Sequence, residues 1–281
     1  MSLSHCCKLF GISRQAHYQQ YKRDRQNLDV YDQVKDMVIE KRICMPRLGT
    51  RKLHFLLDDS FKTNNLKIGR DKLFTILRTE QMLIKPKKTY TKTTMSKHWL
   101  KKHPNLVVNR KFMKAEELWV SDITYIKTRE GNSYLSLVTD AVSRKIMGYH
   151  LSDNLKTDGV VKALKMAIKK RKYTHALIHH SDRGLQYCSQ EYQSELQKNN
   201  IITSMTDGYD CYQNALAERV NGILKDEFPI EKCQDITQAR KVIEQSIKIY
   251  NLIRPHLSLN FKTPDYMHKK SSVILETEDF I

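Results

Sequence analysis

The sequence predicts an α/β protein, a mixed sheet flanked by helices, preceded by a small all-helical region that is strongly basic. Two observations carry this. The chain holds 49 Lys and Arg against 31 Asp and Glu, a formal net charge of +18, and residues 1–114 contain 26 of the bases but only 9 of the acids. From about residue 116 the hydrophobic period changes from purely helical to strands and helices in the order β-β-β-α-β-α-β-α, which suits a mixed sheet covered by helices.

The elements follow in order. Residues 1–27, "SLSHCCKLFGISRQAHYQQYKR" within them, read as a short helix, a turn at Gly11, Ile12 and Ser13, and a second helix capped by Ser13 and led by Arg14. This is a helix-turn-helix outline, and a plain helical hairpin has the same pattern. Residues 28–84 form a helical DNA-binding block: "VYDQVKDMVIEKR", "GTRKLHFLL" and "GRDKLFTILRTEQML" are amphipathic at helical spacing, with Arg70 and Lys72 at the start of the last. Residues 85–114 read as a basic linker. Between residues 81 and 115 there are ten Lys and Arg, Lys87 and Lys88 among them, and no acid, with Tyr90 and Trp99 interspersed. Such a segment can follow a phosphate backbone, and it can equally be disordered without a partner.

In the second part "LWVSDITYIKT" is an alternating strand, "NSYLSLVTD" and "KIMGYHLS" form a hairpin around "AVSR", and "DGVVKALKMAIKKRK" is an amphipathic helix. "HALIHH" is a short strand, "SQEYQSELQKNN" a helix capped by Ser189, "IITSM" a strand, and "NALAERVNGILKDEF" and "TQARKVIEQSIKIY" are helices. Pro255 is expected to stop any further helix, and residues 271–281 form an acidic tail.

Several classes are excluded. No G-x-x-x-x-G-K-[ST] or G-x-G-x-x-G motif occurs, which argues against nucleotide-driven work. The six cysteines make no C-x-x-C pair, so neither a zinc ribbon nor a disulfide framework is expected. There is no long apolar run and no signal-like N-terminus, and a cytoplasmic, nucleoid-associated protein without a membrane partner is expected. The basic surplus points to nucleic acid as the partner.

Three acids stand in unlike settings. Asp122 sits inside the first strand among apolar neighbours, where a bare carboxylate must be edge-exposed, paired or metal-bound. Asp182 follows "HALIHHS", a position where an aspartate commonly serves a turn. Glu218 lies on the helix after the fifth strand. At about 100° per residue, Asn214, Asn221 and Lys225 fall within about 60° of it, while Leu216, Val220 and Ile223 cluster opposite, so one face packs and the other is polar. The acids are separated by 59 and 35 residues.

With that spacing, "WVSDITYI", "HHSDRGLQYCS", "NALAERVNGILKDEF" and "YNLIRPHLSLNFKTP" resemble the signature blocks of insertion-sequence transposases with a D,D,E core like that of retroviral integrases. More narrowly, the chain resembles the second-reading-frame protein of the insertion-sequence-three family, and "CCKLFGISRQAHY" and "GTRKLHFLL" extend the likeness towards the N-terminus. The resemblance implies a ribonuclease-H-like integrase catalytic core over residues 115–270, with a mixed five-stranded sheet. It implies that Asp122, Asp182 and Glu218 are catalytic and hold two Mg²⁺ ions, with Mn²⁺ able to substitute. Hard cations of this kind take oxygen ligands and favour in-line displacement at phosphorus.

The reaction implied is metal-dependent DNA cleavage and strand transfer, a 3′-hydroxyl attacking a phosphodiester at the element ends. Two alternatives remain: a DNA-binding regulatory protein on a non-catalytic ribonuclease-H-like scaffold, and a simple nuclease. The resemblance also implies double-stranded partners, the terminal inverted repeats and target DNA. It further implies a homo-oligomer on DNA, and a first-reading-frame protein or a fusion with it. Lys225, matching the family's basic position, Asn214, Arg183 and His180 are expected near DNA, with Arg254 and His256 as further candidates. In the N-terminal part the DNA-binding expectation falls on Arg14, Arg70, Lys72, Lys87 and Lys88. The chain departs from the family at Gln213, where an acid is usual, and in the "TDGYDC" loop, so no metal or DNA role is carried onto residues 206–213. Asp207, Asp210, Asp226 and Asp140 read as turn, helix-end or hairpin acids.

Overall fold

The computed structural model describes residues 2–85, 99–207, 214–230 and 233–278. The chain divides into two units, Met1–Lys85 and Pro86–Ile281.

The first unit contains α1 (Leu3–Leu9), α2 (Arg14–Cys44), α3 (Thr50–Thr63) and α4 (Arg70–Thr79). Gly11 turns the chain at φ +65°, and the Ser13 hydroxyl accepts from the Ala16 amide at 3.0 Å to open α2. The two helices expected on either side of residue 27 are one. No Gly or Pro interrupts residues 14–44, so nothing breaks the i to i−4 ladder. Val34, Val38, Leu53, Leu57, Phe61, Leu73, Ile76 and Leu77 are buried, and these form the apolar stripes of α2, α3 and α4.

The second unit is built on a five-stranded sheet of β1 (Leu118–Lys127), β2 (Asn132–Asp140), β3 (Ile146–Ser152), β4 (Leu177–Ser181) and β5 (Ile201–Met205) in the order β3-β2-β1-β4-β5. β1, β2 and β3 form an antiparallel meander, whereas β4 and β5 join parallel to β1. This is the ribonuclease-H-like arrangement. Strand β1 is central, so Leu118, Trp119, Val120 and Ile126 are buried, and the polar Ser121 and Asp122 lie in its middle.

One face of the sheet packs Trp119, Val138, Met147 and Leu177 under α5 (Thr157–Lys169) and α7 (Gln190–Lys198), with the one-turn α6 (Leu185–Cys188) between them. The other face carries Leu118, Val120 and Ile178 under Ala217 of α8 (Ala215–Glu227). Helix α9 (Ile236–Leu252) follows. Gly148 on β3 lets α5 approach closely: an added Cβ would lie 2.8 Å from the Ala167 amide nitrogen and would also meet the Ala163 carbonyl.

Two expectations are corrected. The described part of the basic segment is not a free linker. Leu106, Val107 and Phe112 pack on the second apolar cluster, Leu106 N donates to Ser204 Oγ at 2.9 Å, and Met205 N donates to Pro104 O at 3.3 Å. The apolar residues among the lysines cover sheet surface that would otherwise face water. Nor does Pro255 end helical structure. Pro264 opens α10 (Pro264–Glu278), where its fixed φ suits the first helical position, so residues 271–278 belong to a helix. That helix is tied back through His268, whose Nε2 lies 3.0 Å from Oε1 of the buried Glu116, and Tyr173 OH donates to the His268 carbonyl at 2.6 Å.

Gly148→Ala is expected to destabilise the protein by about 3 kcal/mol in urea unfolding, because the obstacle is backbone of α5. Gly222→Ala, in open space on α8, should instead stabilise it by about 0.5–1 kcal/mol.

Candidate active site

The register of β1 and β4 brings the first two acids together. Leu118 pairs with Ile178 and Val120 with His180, so continuing the parallel register sets Asp122 level with Asp182, the residue immediately after β4. Side-chain alternation places Leu118, Val120 and Asp122 on one face, the face covered by α8. Glu218 lies in the first turn of that helix.

Each carboxylate has local partners. Asp122 Oδ1 accepts from the Ile123 amide at 2.8 Å, and Oδ2 accepts from Asn221 Nδ2 at 2.8 Å. Asp182 Oδ1 accepts from the Gly184 amide at 3.0 Å, so this aspartate does shape the turn, as its position suggests. Its charge also reaches further. Burial first and Asp182 second push the Asp122 carboxyl up to about 7, against the two hydrogen bonds that favour its ionised form, and Glu218 adds to the rise. Glu218 is itself raised, by partial burial and then by Asp182. The three acids therefore share one electrostatic field.

Among the described residues no three His, Cys, Asp or Glu side chains are gathered closely enough to form a ready cage for one ion. The donor set nonetheless fits a hard divalent cation. Mg²⁺ keeps several waters and needs only one or two carboxylates alongside substrate phosphate. Buried polar atoms beside the acids are also left without hydrogen-bond partners among the described residues: Asn221 Oδ1, Asn214 Oδ1 and Tyr187 Oη. Such atoms are unusual in an interior unless water or an ion completes them.

The structure redistributes the residues expected at DNA. Asn214 is 5% exposed and donates through Nδ2 to the Ser121 carbonyl at 3.1 Å, so it holds α8 against β1. His180 is buried in the sheet with Nδ1 2.9 Å from Ser204 Oγ. Arg254, 2% exposed, makes a two-pronged pair with Glu227 at 2.7 and 2.8 Å and lies over the Tyr250 ring. Its guanidinium closes the end of α8 and faces no solvent. His256 is buried against Tyr250 as well. Asn214, His180 and Arg254, which look recognitional in a linear pattern, each bond a partner within the fold, and His256 packs on a buried ring.

Lys225 and Arg183 are half-buried, with Arg183 Nη2 3.9 Å from Asp207 Oδ1, while Arg14, Arg70 and Lys72 are exposed on the first unit. Lys87, Lys88, Asp210 and Gln213 lie outside the described residues. Asp140 is the hairpin acid expected, accepting from Ser143 N at 2.7 Å, and it also accepts from Glu116 N at 2.6 Å. The partnership of Asn221 with Asp122 was invisible in sequence. The helical wheel set Asn221 on the polar face with Glu218, but gave no sign that Asn221 is buried against β1 while Glu218 stays exposed.

Two outcomes follow. Arg254→Gln is expected to cost about 3 kcal/mol of stability by removing the buried two-pronged ion pair with Glu227, with the salt dependence of DNA affinity unchanged. Asp122→Asn should melt higher than the parent in metal-free buffer at pH 8, by roughly 3 °C or more. The folded state holds the Asp122 proton up to about 7 while the unfolded chain releases it near 3.8, so stability falls as pH rises between those values. The gap between the two proteins should narrow towards pH 5.

Two models described as "Integrase core domain" match residues 113–211 and 199–264. The chain is 32% identical over 271 residues to the insertion element IS600 uncharacterized 31 kDa protein of Shigella sonnei, covering 94% of this chain and 97% of that one. It is 28% identical to the transposase InsF for insertion sequence IS3fB of Escherichia coli (strain K12), over 80% of this chain and 79% of that one. A likeness to the HTLV-2 integrase catalytic core domain, solved in complex with magnesium, has a TM-score of 0.47 at 21% identity and covers 57% of this chain and 99% of that one. No helix among the described residues is long and apolar enough to cross a membrane. With its integrase core and its near full-length insertion-element relative, the chain belongs to the transposases of the insertion-sequence-three family, and it is a DNA transposase of the D,D,E polynucleotidyl transferase class.

Proposed function

We propose that Asp122, Asp182 and Glu218 are the catalytic carboxylates and that together they hold the divalent metal, two Mg²⁺ ions with Mn²⁺ as a substitute. The observation that carries this reading is the parallel register that sets Asp122 level with Asp182, with Glu218 on the helix packed over the same face and Asp182 raising the proton affinity of both other acids. When bound, the metal polarises the attacking hydroxyl and stabilises the departing oxygen of an in-line displacement at phosphorus. The chain itself holds the acids in register, excludes bulk water on the α8 side of Asp122, and presents cationic side chains to the strand.

The substrate is DNA at the terminal inverted repeats of the element, nicked and then joined through its freed 3′-hydroxyl to target DNA. Lys225, two turns beyond Glu218 on α8, contacts phosphate, and Arg183 beside Asp182 is a second phosphate ligand. Arg14, Arg70 and Lys72, exposed on the first unit, bind duplex DNA, and the net charge of +18 draws the polyanion in. The protein works in the cytoplasm at the nucleoid, as an oligomer that pairs two DNA ends, alone or fused to a first-reading-frame product.

The test uses the full chain, an oligonucleotide carrying the element end, and a target duplex. Cleavage and joining should require Mg²⁺ or Mn²⁺, and Asp122→Asn, Asp182→Asn and Glu218→Gln should each reduce both below detection while DNA affinity stays within about threefold. Turnover retained in any one of them removes that acid from the reading, and cleavage without joined products would identify a nuclease. Lys225→Ala should weaken DNA binding and lower the slope of log affinity against log salt by about one.

A further inference from the structure

The amide of Asn221 is the one described side-chain donor to the strand acid Asp122, and it comes from the helix that carries Glu218. Asn221 stands three residues after Glu218 and seven after Asn214, on the same side of α8. Both asparagines are buried, at 4% and 5% exposure, and both point their Nδ2 at β1: Asn221 to Asp122 Oδ2 at 2.8 Å, Asn214 to the Ser121 carbonyl at 3.1 Å. They bracket Glu218, so the helical acid is set relative to the strand acid by two hydrogen bonds to adjacent residues of one strand. With Asp122 ionised its oxygens only accept, which sets the Asn221 amide with Nδ2 towards it, and Asn221 Oδ1 is left buried with no donor among the described residues.

We propose that Asn221 is a positioning residue for the metal-holding site. It fixes the rotamer of Asp122 and keeps a buried acceptor beside it for a hydrated divalent cation. The inference rests on the reading of Asp122 as a metal ligand. The Ile123 amide occupies one oxygen of Asp122 and Asn221 the other, so each retains lone-pair capacity while the carboxyl plane cannot turn. Without Asn221 the carboxyl keeps only the Ile123 contact and can rotate. Partners of this kind, one step behind the ligands, typically govern metal affinity by roughly 10- to 100-fold. Asn221 Oδ1 would accept from water brought in by the cation, which accounts for an otherwise unsatisfied buried oxygen.

The experiment titrates full-length Asn221→Leu and Asn221→Ser with Mn²⁺ alone, without DNA, by isothermal calorimetry. In parallel it follows strand transfer as a function of Mn²⁺ concentration. Asn221→Leu should bind Mn²⁺ roughly 10- to 100-fold more weakly and shift half-saturation of strand transfer by the same factor. At saturating Mn²⁺ its rate should recover to within about tenfold of the parent. Asn221→Ser, with a donor still able to reach Asp122 through one water, should fall between the two. A purely structural role would lower the melting temperature and leave the Mn²⁺ dependence unmoved. That result in a folded Leu or Ser variant overturns the proposal, and if Leu fails to fold the Ser variant decides. Asp122→Asn is titrated alongside. Parent-like Mn²⁺ binding in Asp122→Asn would remove Asp122 as a ligand, whereas lost binding there with parent-like binding in the Asn221 variants would remove only the role of Asn221.

Discussion

Two aspartates at one level of adjacent parallel strands, Asp122 in the middle of β1 and Asp182 just past the end of β4, repel one another, and much of the second unit acts to hold them in place despite this. Burial and Asp182 together push the Asp122 carboxyl up to about 7, so its ionised form is disfavoured in the isolated fold. A protein that accepts such strain at one point needs a frame that will not relax around it. The backbone amides of Ile123 and Gly184 and the side chain of Asn221 supply fixed dipoles to the two carboxylates. These dipoles favour the ionised form, but they do not cancel the cost of burial and the repulsion between the two carboxylates.

The frame is made of dense packing on one side of the sheet and polar fastening on the other. Trp119 and Leu177 of the sheet, Leu164 of α5, and Tyr192 and Leu196 of α7 are fully or almost fully buried against one another. His179 lies within this layer, 2.7 Å from Ser121 Oγ and 2.8 Å from Tyr192 OH, and burial together with His180 lowers its pKa to about 3, so it is a neutral structural group. On the opposite face α8 is fastened at its start by Asn214, in its middle by Asn221 and at its end by the Arg254 and Glu227 pair. The block around Arg254 continues this fastening. Asn251 bonds both the amide and the carbonyl of Ile146 at 3.0 Å, and Tyr250 OH donates to the Arg144 carbonyl at 3.1 Å.

Around the acids the linear reading departed from the structure for one reason: polar residues assigned to DNA or to an outer face are buried. The wheel of α8 separated apolar from polar residues correctly. It could not register that two residues of the polar face, Asn214 and Asn221, are buried against β1 while Glu218 between them stays exposed. The lysine-rich stretch before β1 concealed Leu106, Val107 and Phe112, whose burial depends on sheet surface far away in sequence. Helix α10 was missed because Pro255 was taken as a final stop, though Pro264 is placed to begin a helix, and the Glu116 to His268 contact joins residues 152 positions apart.

Hydrophobic period and turn chemistry are local properties, and so the strands, most helices, the Ser13 and Ser189 caps and the division between a basic helical part and an α/β part could be read directly from the sequence. The spacing of Asp122, Asp182 and Glu218, together with the blocks around them, was also enough to single those acids out. Which polar residues face the acids and which support the scaffold was decided only by the tertiary structure. A hydrogen bond such as Asn221 to Asp122 depends on a parallel register and a helix packed across it, and no periodicity within either segment encodes a contact that neither segment makes alone.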